Sequence, residues 1–201
     1  MSDYPFLIIG LTGSIGMGKT TTAEMFKQAG CPVFDADGCV HQLYAKGGKA
    51  VALIRAVFPD AIRDGAVDRA VLGQHMRRDP INLQVLESFI HPMVNEEREI
   101  FFRLSAQQGA DIVVLDVPLL FETGGANKVD KIVVVTAPGS VQRERVLSRE
   151  GMNKALFKTL LSRQMPDSIK RKKADYLIFT DKGLDAARKS VDDILNDLRK
   201  L

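Results

Sequence analysis

The sequence predicts an α/β fold of three layers, with helices on both sides of a mostly parallel, five-stranded sheet. Three observations predict it. Short apolar runs at 6–9 (FLII), 33–34 (VF), 112–115 (IVVL), 132–135 (IVVV) and 176–179 (YLIF) have the length and near-continuous hydrophobicity of buried parallel strands. The segments between them repeat apolar residues at helical spacing, so strands and helices alternate. A glycine-rich turn joins the first strand to the first helix.

That turn is the most informative stretch of the chain. Gly13 to Thr20 reads GSIGMGKT and fits the pattern G-x-x-x-x-G-K-[ST] at every fixed position. The glycines open backbone conformations closed to residues with a Cβ, so successive N–H groups can point at phosphate oxygens. The helix that follows, expected over 21–29 with Gly30 as its stop, adds the positive end of its dipole. Lys19 is expected to reach the β- and γ-phosphates, and Thr20 to ligate Mg²⁺ through its hydroxyl. The expected ATP contacts are Gly13, Ser14, Ile15, Gly16, Met17, Gly18, Lys19, Thr20 and Thr21. The fold is therefore expected to be of the P-loop NTPase type.

Composition narrows the class. The chain has 201 residues, 45% hydrophobic and 26% charged, the proportions of one soluble α/β domain with room for a subdomain. No apolar run approaches a membrane span, and the N-terminus lacks the pattern of a secretion signal. Cys31 and Cys39 have no metal-ligand spacing and read as reduced thiols of a cytoplasmic protein. The net charge of +3 does not by itself imply a nucleic-acid partner. Its distribution is uneven: residues 143–173 hold ten Lys/Arg against three Asp/Glu, a net +7 that leaves −4 for the rest. Such a segment suits an anionic ligand, although a charge run is also the usual mark of a solvated helix surface.

The remaining elements follow in order. The second strand ends at Asp35-Ala36-Asp37, where ligands of open α/β sheets sit, or where an Asp-rich turn caps a helix; either carboxylate is a candidate. A helical region runs from about 39 to 108. Val51, Ile54 and Phe58 share a face and stop at Pro59; Asp68 is placed to cap a helix with Val71, Leu72 and Met76. Leu83, Leu86, Phe89 and Ile90 form another face. Pro92 is placed in the first turn of a further helix that turns Ile100, Phe101 and Leu104 inward. Asp116 ends the third strand and is placed to hold Mg²⁺ directly or through water. A helix from Gln142 carries Arg145 and Arg149, one turn apart, and the last helix is expected over 184–201.

Together the segments resemble dephospho-CoA kinase. They are GLTGSIGMGKT, DAD at 35–37, HP at 91–92, PLLFE at 118–122, Gln142 with Arg145 and Arg149, RQM at 163–165 and ADY at 174–176. The resemblance implies transfer of the ATP γ-phosphate to the 3′-hydroxyl of dephospho-CoA. It implies a core over 1–38, 109–142 and 174–201, a helical CoA-binding subdomain over about 39–108, and a lid over about 143–173. By position, Asp37 resembles the general base; Lys19 and Arg149 join it as catalytic groups. Arg145, Arg149 and Arg163 resemble ATP-side cations. Asp37, His91, Pro118 and Leu119 resemble the acceptor surface, and Thr20 and Asp116 the Mg²⁺ site. The expected partners are ATP and dephospho-CoA, with no nucleic acid and no membrane, and the expected state is a monomer. Kinases of other small metabolites share this logic. A nucleotide-gated switch or RNA-binding regulator is a reading from another class.

Overall fold

The structure, a computed structural model, describes residues 4–200. It divides into two compact units, Met1–Phe34 with Ser105–Leu201, and Asp35–Leu104.

The first unit is built on a five-stranded sheet. Its strands are β1 (Leu7–Thr12), β2 (Val33–Asp35), and β5 (Ile112–Asp116), β6 (Lys131–Thr136) and β7 (Tyr176–Phe179). The spatial order is β2-β5-β1-β6-β7. β1 lies parallel to both β5 and β6, with Ile9 opposite Val114 and Leu11 opposite Val133, and β6 lies parallel to β7. Every residue of β5 is buried, as a central strand covered on both faces requires. The strand termini put Thr12 and Asp116 at the same edge of the sheet.

One face is sealed by α1 (Lys19–Gln28) and α9 (Leu184–Leu198). In α9 the buried side chains are Ala187, Val191, Ile194, Leu195 and Leu198, a single helical stripe packed on Ile9, Val114, Val135 and Ile178. Full burial contributes about 1.5–3 kcal/mol for each of its larger apolar side chains. α1 begins two residues earlier than the sequence suggested, so Lys19 and Thr20 are its first two residues. It ends where expected: Gly30 adopts φ 89, and Gly30 and Cys31 N–H groups return to the Lys27 and Phe26 carbonyls. Four helical segments lie between β5 and α9 or flank β6: a short 3₁₀ turn (Gly125–Lys128), α6 (Gly139–Leu147), α7 (Lys154–Ser162) and α8 (Asp167–Lys172).

The second unit holds α2 (Ala36–Tyr44), α3 (Val51–Val57), a 3₁₀ turn (Pro59–Ala61), strands β3 (Ile62–Arg63) and β4 (Ala66–Val67), α4 (Arg69–Arg78) and most of α5 (Pro80–Gln107). Val51, Ile54 and Phe58 are buried together, and the Asp68 carboxylate caps α4 by accepting from the Ala70 and Val71 N–H groups.

Three expectations are corrected here. β3 and β4 form an antiparallel hairpin inside a region read as helical. Its turn is Asp64-Gly65, both with positive φ (50 and 81), the chemistry of a type I′ hairpin. Pro92 does not open a new helix but lies inside the 28-residue α5. Leu83 and Leu104 are exposed, and Phe102 is buried in place of Phe101 as the inward ring. The expected end of the last helix at Leu201 lies outside the described residues; α9 stops at Leu198.

Candidate active site

The phosphate loop leaves β1 at Thr12 and enters α1 at Lys19. Gly16 and Gly18 take left-handed conformations, φ 79 and 92, that only glycine adopts without strain. A Cβ on Gly16 would also meet Val146 at 2.4 Å, so neighbouring packing enforces the same choice. The Met17 N–H donates to the Ser14 carbonyl, closing the loop on itself. The Met17 side chain is buried and accepts at Sδ from the Ala137 N–H, which leaves only its backbone to the loop's open side. Ser14 is buried as well.

The loop is held from outside. The Ile15 N–H donates to Gln164 Oε1 at 3.0 Å, and the Ile15 carbonyl accepts from Gln142 Nε2 at 2.8 Å. The Thr180 hydroxyl donates to the Met17 carbonyl at 2.8 Å.

At the sheet edge the Lys19 ammonium sits 2.5 Å from Asp116 Oδ1, with Asp116 buried. Thr20, next along α1, is exposed. One cavity of about 310 Å³ opens beside the loop, lined among others by Gly16, Gly18, Thr21, Arg145, Arg149 and Thr180. That volume is in the range of small-ligand sites. Arg145 spends two donors on Thr180, one on its hydroxyl and one on its carbonyl, both at 2.8 Å. Arg149 lies two residues past the end of α6, rather than on the helix as the sequence suggested, and its side chain is exposed. Both arginines nevertheless line the same cavity. Arg163 is the exposed residue that caps the C-terminal end of α7, adjacent to Gln164.

The loop after β5 is anchored by its carbonyls. Pro118 accepts from the Thr12 hydroxyl at 3.0 Å and from Lys170 Nζ at 3.2 Å, while Leu119 is exposed. Lys170, in the basic run that the sequence left open between an anion-binding segment and a solvated surface, is fully buried and pairs with Glu122 at 2.9 Å. Glu122 Oε1 also accepts from the Met165 N–H at 2.7 Å. Burial alone would raise the Glu122 carboxyl; the Lys170 ammonium and the Met165 N–H outweigh it and hold the group below its ordinary value.

In the second unit the two carboxylates of DAD have different surroundings. Asp35 is the N-cap of α2, its Oδ1 accepting from the Gly38 N–H at 2.9 Å. Asp37 lies in the first turn of α2, exposed, with no hydrogen bond or ion pair among the described residues. His91 is exposed within α5.

Gln142, Gln164, Glu122, Lys170 and Thr180 were not assigned roles from sequence. The first four fall within or beside the quoted motifs and the basic segment, but their partners lie far away along the chain, 127 residues for Gln142 and 149 for Gln164.

A parallel sheet, a glycine loop opening a helix, and a lysine and aspartate meeting at the strand ends define a P-loop nucleotide-binding protein. Comparison with known proteins narrows this. Residues 7–186 match the family described as dephospho-CoA kinase. A dephospho-CoA kinase of Mesorhizobium japonicum is 51% identical over 193 residues, 96% of this chain and 97% of the relative. A Thermus thermophilus crystal structure superposes with a TM-score of 0.82 at 32% identity, covering 98% of this chain and 99% of that one. A Campylobacter jejuni dephospho-CoA kinase shares the fold, with a TM-score of 0.64 at 19% identity over 95% and 96% of the two chains. The chain belongs to the dephospho-CoA kinase family.

Proposed function

We propose that this protein transfers the γ-phosphoryl group of ATP to the 3′-hydroxyl of dephospho-CoA, giving CoA and ADP, the last step of coenzyme A biosynthesis. The observation that carries the reading is full-length membership of the family, joined to a phosphate loop whose lysine sits on a buried strand-end aspartate.

Phosphoryl transfer depends chiefly on positioning and charge stabilisation. The N–H groups from Gly16 through Thr20 cradle the β- and γ-phosphates, and Lys19 exchanges Asp116 for the phosphate oxygens. The oxygen donors Thr20 and Asp116 suit Mg²⁺, which is usually held by one or two carboxylates plus substrate phosphates; among the described residues no cluster of three or more acidic, His or Cys ligands forms a dedicated cage. Bound there, Mg²⁺ would neutralise charge on the β- and γ-oxygens. Arg149 and Arg163, both exposed on the segment 143–173, act as lid cations toward the transferring group, while Arg145 orders the Thr180 side of the nucleotide cavity. Asp37 orients the acceptor hydroxyl and takes its proton. Its freedom from local bonds supports this assignment over Asp35, whose oxygen is spent on the α2 cap. His91 on α5, and separately Pro118 and Leu119 in the loop after β5, are the further residues we assign to acceptor recognition.

We place the reaction in the cytoplasm, with the enzyme acting as a monomer; light scattering of the purified chain tests the latter. Among the described residues no helix is long and apolar enough to cross a membrane. The acceptor is tested by ADP release with dephospho-CoA, adenosine and AMP in parallel. Dephospho-CoA is expected to be preferred; preference for adenosine or AMP would replace it with a nucleoside or nucleotide acceptor.

A further inference from the structure

Lys170 is the largest charged group in the interior, and the phosphoryl-transfer mechanism does not use it. A lysine ammonium with no exposed surface is costly unless its partners are well placed, and a buried ion pair adds little net stability once desolvation is counted. What such a pair supplies is geometry, and its contacts lead to one place.

From Lys170 one hydrogen bond runs to the Pro118 carbonyl, which also accepts from Thr12, the residue just before the phosphate loop. The other contact runs to Glu122, whose same oxygen accepts from the Met165 N–H. Met165 follows Gln164, whose side chain accepts from the Ile15 N–H inside the phosphate loop. The path therefore starts and ends on the loop, at Thr12 and Ile15. It closes through the loop after β5, α8 and the segment that follows α7. Gln142 completes the hold by donating to the Ile15 carbonyl, so Ile15 is held at both its backbone N–H and its carbonyl.

We infer that the Lys170–Glu122 pair is a positioning device for the nucleotide site: it fixes Met165, and through it Gln164, so that Gln164 holds the phosphate loop in its binding conformation before ATP arrives. A loop already held in place loses less conformational freedom on binding, and affinity rises accordingly. Glu122 Oε2 is buried with no partner among the described residues, so one oxygen serves both Lys170 and Met165 and the two contacts are linked through a single atom. The inference rests on the proposed ATP site but not on the acceptor, so an error in the dephospho-CoA reading leaves its test intact.

The test is a double-variant cycle read by calorimetry with the β,γ-imido analogue of ATP and Mg²⁺, alongside thermal melting. The proteins are wild type, Gln164→Met, the pair Glu122→Leu with Lys170→Met, and all three changes together. Replacing both charges by apolar groups of similar size avoids leaving either one uncompensated. Gln164→Met is expected to weaken binding about fivefold to tenfold, the loss of one hydrogen bond, with the melting temperature lowered by no more than about 2–4 °C. The paired change is expected to weaken it by a similar factor, and adding Gln164→Met to it is expected to weaken it no further. Two results would overturn the inference. One is full multiplication of the two effects in the triple variant. The other is wild-type affinity in Gln164→Met alone, a half-buried surface change that does not depend on the paired variant folding.

Discussion

At the scale of single residues, the carboxylates divide by what each already touches. Asp35 caps α2, Asp116 meets Lys19, and Asp37 is free and exposed. Asp37→Asn is expected to lower transfer to the acceptor by about 10²–10⁴-fold while ATP binding persists, because the amide keeps the shape but takes no proton. Asp35→Asn keeps an oxygen that accepts from Gly38 and is expected to lose far less. Asp116→Asn is expected to lose activity most at low Mg²⁺ and to recover partly at high Mg²⁺. Turnover of all three across a Mg²⁺ titration separates these roles, and normal turnover in Asp37→Asn with none in Asp35→Asn would reverse the assignment. Glu122 gives a pH prediction. Its folded pKa lies below the ordinary 4.5, so its contribution is complete above that value and is lost as pH falls through the lower folded value. Urea midpoints measured from neutral pH into this acid range are expected to fall less steeply for Glu122→Gln than for wild type; parallel slopes would contradict the linkage. Sequence showed the phosphate loop because its glycines and Lys-Thr pair are contiguous and each has a backbone reason. It hid Lys170, since a lysine flanked by Arg171, Lys172 and Lys173 looks solvated until the fold brings Glu122 to it.

At the scale of elements, α5 carries a proline in its interior and stays continuous for 28 residues. An interior proline removes one backbone hydrogen bond and clashes with the preceding turn, costing about 3 kcal/mol relative to alanine in a helix. Pro92→Ala is therefore expected to stabilise the chain by about 1–3 kcal/mol, less than the full cost because alanine also frees the unfolded chain. Because His91 is assigned to the acceptor, the same variant is expected to raise the KM for dephospho-CoA and leave the KM for ATP unchanged. A lower melting temperature would show that α5 draws stability from the proline. The sequence pointed to two helices here because proline is so often a first-turn residue, and continuity through it is decided by packing. The hairpin of β3 and β4 had a legible signal, Asp64-Gly65, but its strands of two residues each are too short to show alternation. The central strands were legible for the opposite reason: runs such as 112–116 are buried on both faces and read as unbroken apolar sequence.

At the scale of the whole molecule, the sheet and the phosphate loop belong to one compact unit, and residues 35–104 form the other. The core was legible from strand runs and one motif. Interactions such as the fork from Arg145 to Thr180, 35 residues apart, were not, because periodicity carries no information about pairing across the sheet edge. The acceptor identity is the central claim, and one measurement bears on it most directly. The purified protein is incubated with Mg-ATP and dephospho-CoA, and the product is identified by mass spectrometry and by comparison with authentic CoA. The account predicts CoA and ADP in equal amounts, with the new phosphate on the ribose 3′-oxygen. No CoA, while the same preparation phosphorylates adenosine or AMP, would contradict it.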